Sequence, residues 1–403
     1  MKYKINYKKT LIFVSLFLLS VFLLSYSFSF LGQQVHKIIV KPKEPIYKVY
    51  SSDPVNMEII FNNEFGENLF SERIIKEIDK AQHSLEAAVY SFSSNPIKEA
   101  IYRASERGVS VSLVLDDYKK LIYRDFFSDS PDNINFKYLK VDGHRKSLMH
   151  HKFAIIDRGE ESQKLIFGSS NWTYLQEQYD RSFISLTDNK YLINSFANEF
   201  DRLNSSYHGI KKLSKKDYSP WYLLVTSEKN FHELWFSPGK INYSVRDKIE
   251  ELILSAKNDI KIMIWDFTDL SLADAVIEKA RKGLKIQILT DYYNYYGEHS
   301  VFPYLLNKKE KYNLVNLEIV HNKKVHDKVT SFLADNSEIR DGLVSFFHYH
   351  VLIVDDIKVL FGTNNWSQSA FYYNDEAIMI SNNKNIVDQF LDTFYSNYQE
   401  MTN

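Results

Sequence analysis

Two stretches of this chain set a histidine, a second basic residue and an aspartate at one spacing: His150, Lys152 and Asp157, then His348, His350 and Asp355. Each is followed by a glycine, a hydroxyl residue and an asparagine, Gly168, Ser169 and Asn171 in the first and Gly362, Thr363 and Asn365 in the second. Along a strand, residues two apart face the same way, so His150 and Lys152 project together while His151 points oppositely. A neutral imidazole beside a fixed ammonium suits attack on a phosphoryl group: the imidazole is the nucleophile and the ammonium neutralises the non-bridging oxygens. Ser169 and Asn171 can add donors to those oxygens. A second imidazole must then protonate the leaving oxygen and later activate an incoming alcohol or water, and His348 supplies it. Each imidazole needs an acceptor that holds its tautomer. Asp180 and Glu376 read as standing at matching places, in Gln178-Tyr179-Asp180 and Asn374-Asp375-Glu376.

The elements that must carry these residues are also duplicated. In the first copy, 72–81 has helical spacing, 85–92 reads as a buried strand, 96–107 as a helix closed by Gly108, and 109–115 as a strand running to Asp116. In the second copy the same order recurs as helix 246–256, strand 260–267, helix 272–281, Gly283, and strand 284–289 running to Asp291. Each copy finishes with a strand and a helix, 182–186 then 192–203 and 377–380 then 386–395. Strand-helix-strand alternation implies an α/β fold with mixed sheets covered by helices. The segment 292–346 is longer than its counterpart 118–148 and is a candidate for shaping the substrate pocket.

These residues resemble the phospholipase D superfamily, whose signature is His-x-Lys-x4-Asp followed by Gly-Ser-x-Asn; the resemblance covers nearly everything after residue 56, as two repeats. It implies two α/β halves packed face to face, with the two histidines meeting at one site within a monomer, one of them transiently phosphorylated, and no metal or other cofactor. Carried onto this chain, His150 is the nucleophile and His348 the general acid-base. Lys152, Ser169, Asn171 and Asn365, with His350 and Thr363 in the corresponding second-copy slots, hold the phosphate. Asp180 and Glu376 orient the imidazoles, and Asp157 and Asp355 are structural. The chain departs from the signature at two places. The loop between Asp157 and Gly168 is longer than that between Asp355 and Gly362, and reads as an extended hairpin turn. More seriously, His350 stands where a lysine is expected, and an imidazole with an ordinary pKa near 6.5 is mostly neutral at pH 7. Three readings follow: weakened catalysis favoured at mildly acid pH, a half-site with altered substrate, or a decayed enzyme. Other His-x-Lys pairs, His144/Lys146 and His326/Lys328, lack the aspartate and the glycine loop and read as surface residues. Asp116, Asp117 and Asp291 read as helix-capping or rim residues.

The rest of the chain sets the context. Its 403 residues are 44% hydrophobic, enough for large cores. Fifty Lys and Arg against 51 Asp and Glu leave a formal charge of −1, so no global positive field gathers nucleic acid. There is no cysteine, which excludes disulfides, thiolate chemistry and cysteine-held zinc. At the N-terminus, Lys2, Lys4, Lys8 and Lys9 precede an uncharged run from Leu11 to Leu31, long enough to span about 30 Å of hydrocarbon. Lysines on that flank favour a cytoplasmic N-terminus and an extracytoplasmic catalytic region; the alternative is a cleaved signal peptide and a secreted protein. The expected organisation is a basic tail at 1–9, a transmembrane helix or signal segment at 10–31, a tether at 32–56, one half at 57–205, a linker at 206–228 and the second half at 229–403. The leading functional expectation is a membrane-anchored phosphodiesterase that hydrolyses or transfers a phospholipid headgroup. The alternatives are a non-specific endonuclease acting on nucleic acid, a cardiolipin-synthase-like transferase, and a catalytically weakened lipid- or phosphate-binding protein.

Overall fold

A computed structural model describes residues 47–50 (backbone only), 55–62, 68–139, 147–205, 209, 211, 221–226, 230–239, 244–323, 327 and 347–403. The apolar segment at 10–31, most of the tether, and the pairs His144/Lys146 and His326/Lys328 lie outside these residues. Among the described residues, no helix is long and apolar enough to cross a membrane.

Each repeat opens with an amphipathic helix. Phe70, Ile74 and Ile78 recur every fourth residue on one face of Leu69–Lys80 and are buried against the sheet. The next helix, Asn95–Glu106, has Pro96 in its first turn, where a missing N–H costs nothing. It ends at Gly108, whose φ of 91° is a left-handed turn that glycine takes without strain. The second repeat copies the device, with helix Leu270–Arg281 followed by Gly283 at φ 90°.

Both sheets are mixed. The first has seven strands in the order Glu58–Phe61, Phe183–Thr187, Lys164–Gly168, Lys152–Ile156, Ser84–Val89, Ser110–Asp116 and Ile134–Leu139. Its last three strands run parallel through helical crossovers, and the others pair antiparallel. The second sheet repeats this arrangement with Glu376–Ser381, Lys358–Gly362, His350–Val354, Asp259–Ile264, Lys285–Thr290 and Leu317–His321. It is then extended to nine strands by Phe231–Ser237, Trp221–Val225 and Tyr47–Tyr50. Two of these added strands fall where the sequence reads as tether and linker. Tyr47–Tyr50 pairs in parallel with Trp221–Val225, so both segments are built into the second half.

The central strands are buried at every position, as expected when both faces of a sheet are covered. In the histidine-bearing strand of the first half, Phe153 and Ile155 face a core shared by the two halves, while Ala154 and Ile156 face an outer core belonging to the first half alone. The shared core holds the C-terminal helices of both repeats, Lys190–Leu203 and Lys384–Thr402. Phe167 stacks on Phe361 across it, with ring centroids 5.9 Å apart. The halves therefore pack face to face about a pseudo-twofold relation.

Candidate active site

The two histidine motifs meet because each is clamped by backbone of the opposite half. His150 N–H donates to the Asp375 carbonyl at 2.9 Å, and Asp375 N–H donates back to Leu148 O at 2.9 Å. In the mirror arrangement, His348 N–H donates to Arg181 O at 2.8 Å. Asp116, at the end of its strand, accepts Met149 N–H at 2.7 Å and so fixes the residue before His150. Its other oxygen accepts Tyr118 N–H at 2.8 Å, a capping contact of the kind read from the sequence. The glycines that open the two loops serve close approach. A Cβ at Gly168 would lie 2.2 Å from Phe183 O, and one at Gly362 2.2 Å from Ala377 O. The loop hydroxyls then tie back to the same strands, Ser169 Oγ accepting Phe183 N–H and Thr363 Oγ1 accepting Ala377 N–H.

Around His150 the site is complete. Its Nδ1 lies 2.8 Å from Glu376 Oε2, a buried hydrogen bond between halves. Glu376 is held in turn by Thr363 Oγ1, which donates at 2.7 Å, and by Asn374 Nδ2, which donates at 3.0 Å. Lys152 Nζ donates to the His150 carbonyl at 2.7 Å. The Tyr90 ring sits 4.7 Å from the imidazole, with the ammonium groups of Lys152 and Lys119 5.3 and 5.4 Å from the ring centre. Burial of Lys152 pulls its pKa down to about 7, against the opposing pull of Glu376. Burial likewise pushes Glu376 up to about 7, against the opposing charge of Lys152. The His150 imidazole is driven well below its usual pKa by burial and then by Lys152, so it stands neutral, as a nucleophile must.

Around His348 the arrangement differs. The Trp265 ring packs 5.3 Å from it, in the place Tyr90 takes beside His150, and the backbone of Ser169 lies against the imidazole. Its Nδ1 has no hydrogen-bond partner among the described residues. Asp180 does not supply one. Both its carboxylate oxygens are buried and have no partner among the described residues, and burial, with Asp291 nearby, pushes its pKa well above the carboxylate range. The sequence reading that set Asp180 opposite Glu376 is corrected by strand register. Ser169 N–H bonds Phe183 O as Thr363 N–H bonds Ala377 O, so residue 183 matches 377 and Glu376 matches Ser182. Asp180 matches Asn374, two residues away. Counting from the motif asparagines gives the same match, since Ser182 follows Asn171 at the spacing at which Glu376 follows Asn365, whereas Asp180 falls two residues short.

The remaining motif residues fall into two groups. His350 is fully buried with its ring centre 5.1 Å from that of His348, both its ring nitrogens have no partner among the described residues, and burial drives its pKa well below the usual value. It is a neutral group, not a substitute cation. Asn171 and Asn365 sit on the loops with side-chain oxygens unpartnered among the described residues. Asp157 and Asp355 lie apart from the chemistry. Asp157 accepts the N–H groups of Gln82, His83 and Ser84, and Asp355 those of Lys257, Asn258 and Asp259, each from a left-handed backbone position. The longer loop after Asp157 folds back onto it through Ser162 Oγ at 2.9 Å. Sequence reasoning passed over Tyr90, Trp265, Asn374 and Ser182, whose only signal is their place relative to the duplicated strands. His151 points away from the site to Glu199, 3.1 Å distant.

Two facing α/β halves that present paired histidines, a buried lysine and two glycine-hydroxyl loops at their junction define a phospholipase D-type fold and site. A family model described as "Cardiolipin synthase, PLD-like domain" matches residues 74–204 and 249–398, and the chain belongs to that family, within the phospholipase D superfamily. Mitochondrial cardiolipin hydrolase from Homo sapiens is 31% identical over 147 residues, 36% of this chain and 55% of the relative. The protein of the same name from Xenopus tropicalis is 29% identical over 136 residues, 34% of this chain and 61% of the relative. The chain thus spans a little over half the length of the curated relatives it matches. Among solved structures, phosphatidylserine synthase from Haemophilus influenzae has a TM-score of 0.62 at 15% identity, over 86% of this chain and 88% of its own. Polyphosphate kinase from Porphyromonas gingivalis gives 0.54 at 11%, over 84% and 50%. At these identities the likeness shows the fold.

Proposed function

We propose that this protein is a phosphodiesterase that cleaves or exchanges a phospholipid headgroup through a phosphohistidine, with no metal in the chemical step. The hydrogen bond from His150 Nδ1 to Glu376 carries the reading. It leaves Nε2 as the free nucleophilic nitrogen and stabilises the imidazolium that forms as Nε2 bonds to phosphorus. As that bond forms, the ester P–O bond breaks and the departing alkoxide takes a proton from His348. That residue enters the step as an imidazolium, stabilised by the substrate phosphate's negative charge against the burial that lowers its pKa. Water or an alcohol then gives its proton back to His348 and attacks the phosphorus, and the P–N bond breaks to free His150. Lys152, with Ser169, Asn171, Thr363 and Asn365, holds the non-bridging oxygens. The relatives' names, cardiolipin hydrolase and phosphatidylserine synthase, support a lipid substrate. So do the near-zero net charge and the apolar segment at 10–31, which would anchor the protein with its catalytic region outside the cytoplasm.

The test is full-length protein in detergent micelles, incubated with headgroup-labelled phospholipids and, separately, with single- and double-stranded DNA, all in excess chelator. Release or exchange of headgroup with DNA left intact is expected. Cleavage of DNA alone would replace the lipid reading with the endonuclease one, and activity abolished by chelator would end the metal-free step.

A further inference from the structure

The strands that lead into the two half-sites end in matched segments that turn apolar side chains outward. Register sets Tyr90 beside Asp116, because Val89 pairs with Leu115, and Trp265 beside Asp291, because Ile264 pairs with Thr290. Tyr90 and Trp265 are the rings packed on His150 and His348. Asp116 Oδ1 accepts Tyr118 N–H and Asp291 Oδ1 accepts Tyr293 N–H, both at 2.8 Å. Each acid thus starts a short helical segment next to its half-site, 117–126 in the first half and Tyr292–Tyr296 in the second. The first segment is fixed to the site. Tyr123 is buried and its hydroxyl donates to Tyr90 O at 2.6 Å, while Lys119 Nζ donates to Ser91 Oγ at 2.6 Å. Its outward side chains, Tyr118, Leu121 and Ile122, are 83, 77 and 57% exposed. In the second segment Tyr293 and Tyr296 are 57 and 61% exposed. Thirteen large apolar side chains are exposed among the described residues, and these five gather in two short segments beside the imidazoles, unlike singly scattered surface residues.

We propose that these two segments form a bilayer-docking rim: Leu121 and Ile122 enter the acyl region, Tyr118, Tyr293 and Tyr296 lie at headgroup depth, and the histidine site between them is held against the headgroups. The side chains select this partner. Tyrosine joins an apolar ring to a polar tip and concentrates at the membrane–water interface. Leucine and isoleucine on a short exposed helix gain by leaving water for the acyl boundary. The lysines beside the rim are paired with acids, Lys120 with Asp117 and Lys323 with Asp327, so the surface attracts by apolar contact more than by charge. A nucleic-acid surface needs the reverse. Chain length also fits. Between the uncharged run ending at Leu31 and the strand starting at Tyr47, residues 32–46 reach at most about 50 Å, on the order of the diameter of the folded body. A chain anchored by that run therefore keeps its rim within reach of the same membrane. This rests on the lipid reading of the site and adds the surface by which the site meets its substrate.

The test exploits the absence of cysteine from the chain. Full-length protein with one introduced cysteine, Leu121→Cys, Ile122→Cys or Tyr296→Cys, is labelled with an environment-sensitive fluorophore and reconstituted in phosphatidylcholine nanodiscs. Val315→Cys and Ile357→Cys are the controls; both residues are exposed, at the ends of strands Leu317–His321 and His350–Val354 remote from the site. Labels at 121 and 122 should emit at shorter wavelength than the controls, be quenched by nitroxide-bearing lipids and lose access to iodide. The label at 296 should fall between, and high salt should change none of this. The controls should stay open to iodide and untouched by the nitroxide lipids. Leu121 and Ile122 share one exposed turn, so failure of either variant to fold leaves the other to decide. Rim labels as open to iodide as the controls would overturn the proposal. So would rim labels that shift in wavelength without quenching by nitroxide lipids, which would mean cover by protein or by a second copy. The readout is depth and not turnover. An inactive parent with immersed labels strikes the functional reading alone, and an active parent whose rim labels stay in water strikes this one alone.

Discussion

His150 Nδ1 and Glu376 Oε2 lie 2.8 Å apart although 226 residues separate them in the chain. His150 of one half is therefore oriented by the acid of the other. In the proposed mechanism this makes the nucleophile depend on both halves, which would give the face-to-face packing a chemical reason. Replacing Glu376 by Gln should leave the fold intact but let the amide hold the wrong tautomer. Turnover should drop on the order of 10³- to 10⁴-fold, the scale seen when a triad acid becomes an amide. His150→Asn should remove turnover entirely. Headgroup release by each variant at saturating substrate checks both, and a His150→Asn protein with parental turnover would end the nucleophile assignment.

The pH profile should be a narrow bell centred near neutrality. Glu376, pushed up to about 7 by burial, must be ionised to accept from His150, so kcat/KM falls as pH drops below that value. Lys152, pulled down to about 7 by burial, must be protonated to hold phosphate, and His348, pulled well below its usual value by burial, must be protonated to act as the acid, so kcat/KM falls as pH rises. Bound phosphate favours the ammonium form, so the alkaline limb of kcat should lie above that of kcat/KM. Rates from pH 5 to 10 at low and saturating substrate would show this, and a flat profile through neutrality would contradict it.

Gly168 and Gly362 should each be intolerant of alanine. The added methyl would meet backbone, Phe183 O and Ile184 Cα in one half and Ala377 O and Ile378 Cα in the other, which cannot rotate away as a side-chain tip can. A loss of about 4 kcal/mol or more is expected, the upper range for a point change. Thermal melts of Gly168→Ala and Gly362→Ala measure it; melting temperatures equal to the parent's would mean the loops approach less closely than described.

Asp157→Ala should damage stability more than chemistry. It removes the acceptor of three partly buried backbone N–H groups at the start of strand Ser84–Val89. A cost of about 3 kcal/mol is expected from lost hydrogen bonds to a charged group. Denaturant midpoints should fall, while turnover per folded molecule at saturating substrate stays within a few-fold. A thousandfold loss in kcat with unchanged stability would move Asp157 into the site.

The duplicated motifs, the helix and strand order within each repeat and the capping glycines were legible from spacing, because local periodicity and turn chemistry encode them. That the two histidines meet was implied only by the family resemblance, and Tyr90, Trp265, Asn374 and Ser182 were missed. Tyr47–Tyr50 and Trp221–Val225 were not legible, since they are strands only by virtue of an edge supplied by the second half.

The chain by itself determined that two histidines, one lysine and two hydroxyl-asparagine loops are presented by matched strands. Which acid serves which imidazole was decided only by tertiary structure. The spacing from Asn171 to Ser182 equals that from Asn365 to Glu376, so the matched positions can be counted along the chain, but that Glu376 meets His150 of the other half is set by packing. The charge states were decided there too. Only burial tells an ammonium near pKa 7 from one near 10, or turns a histidine in a lysine slot into a neutral group, because the cost of a charge is set by what surrounds it.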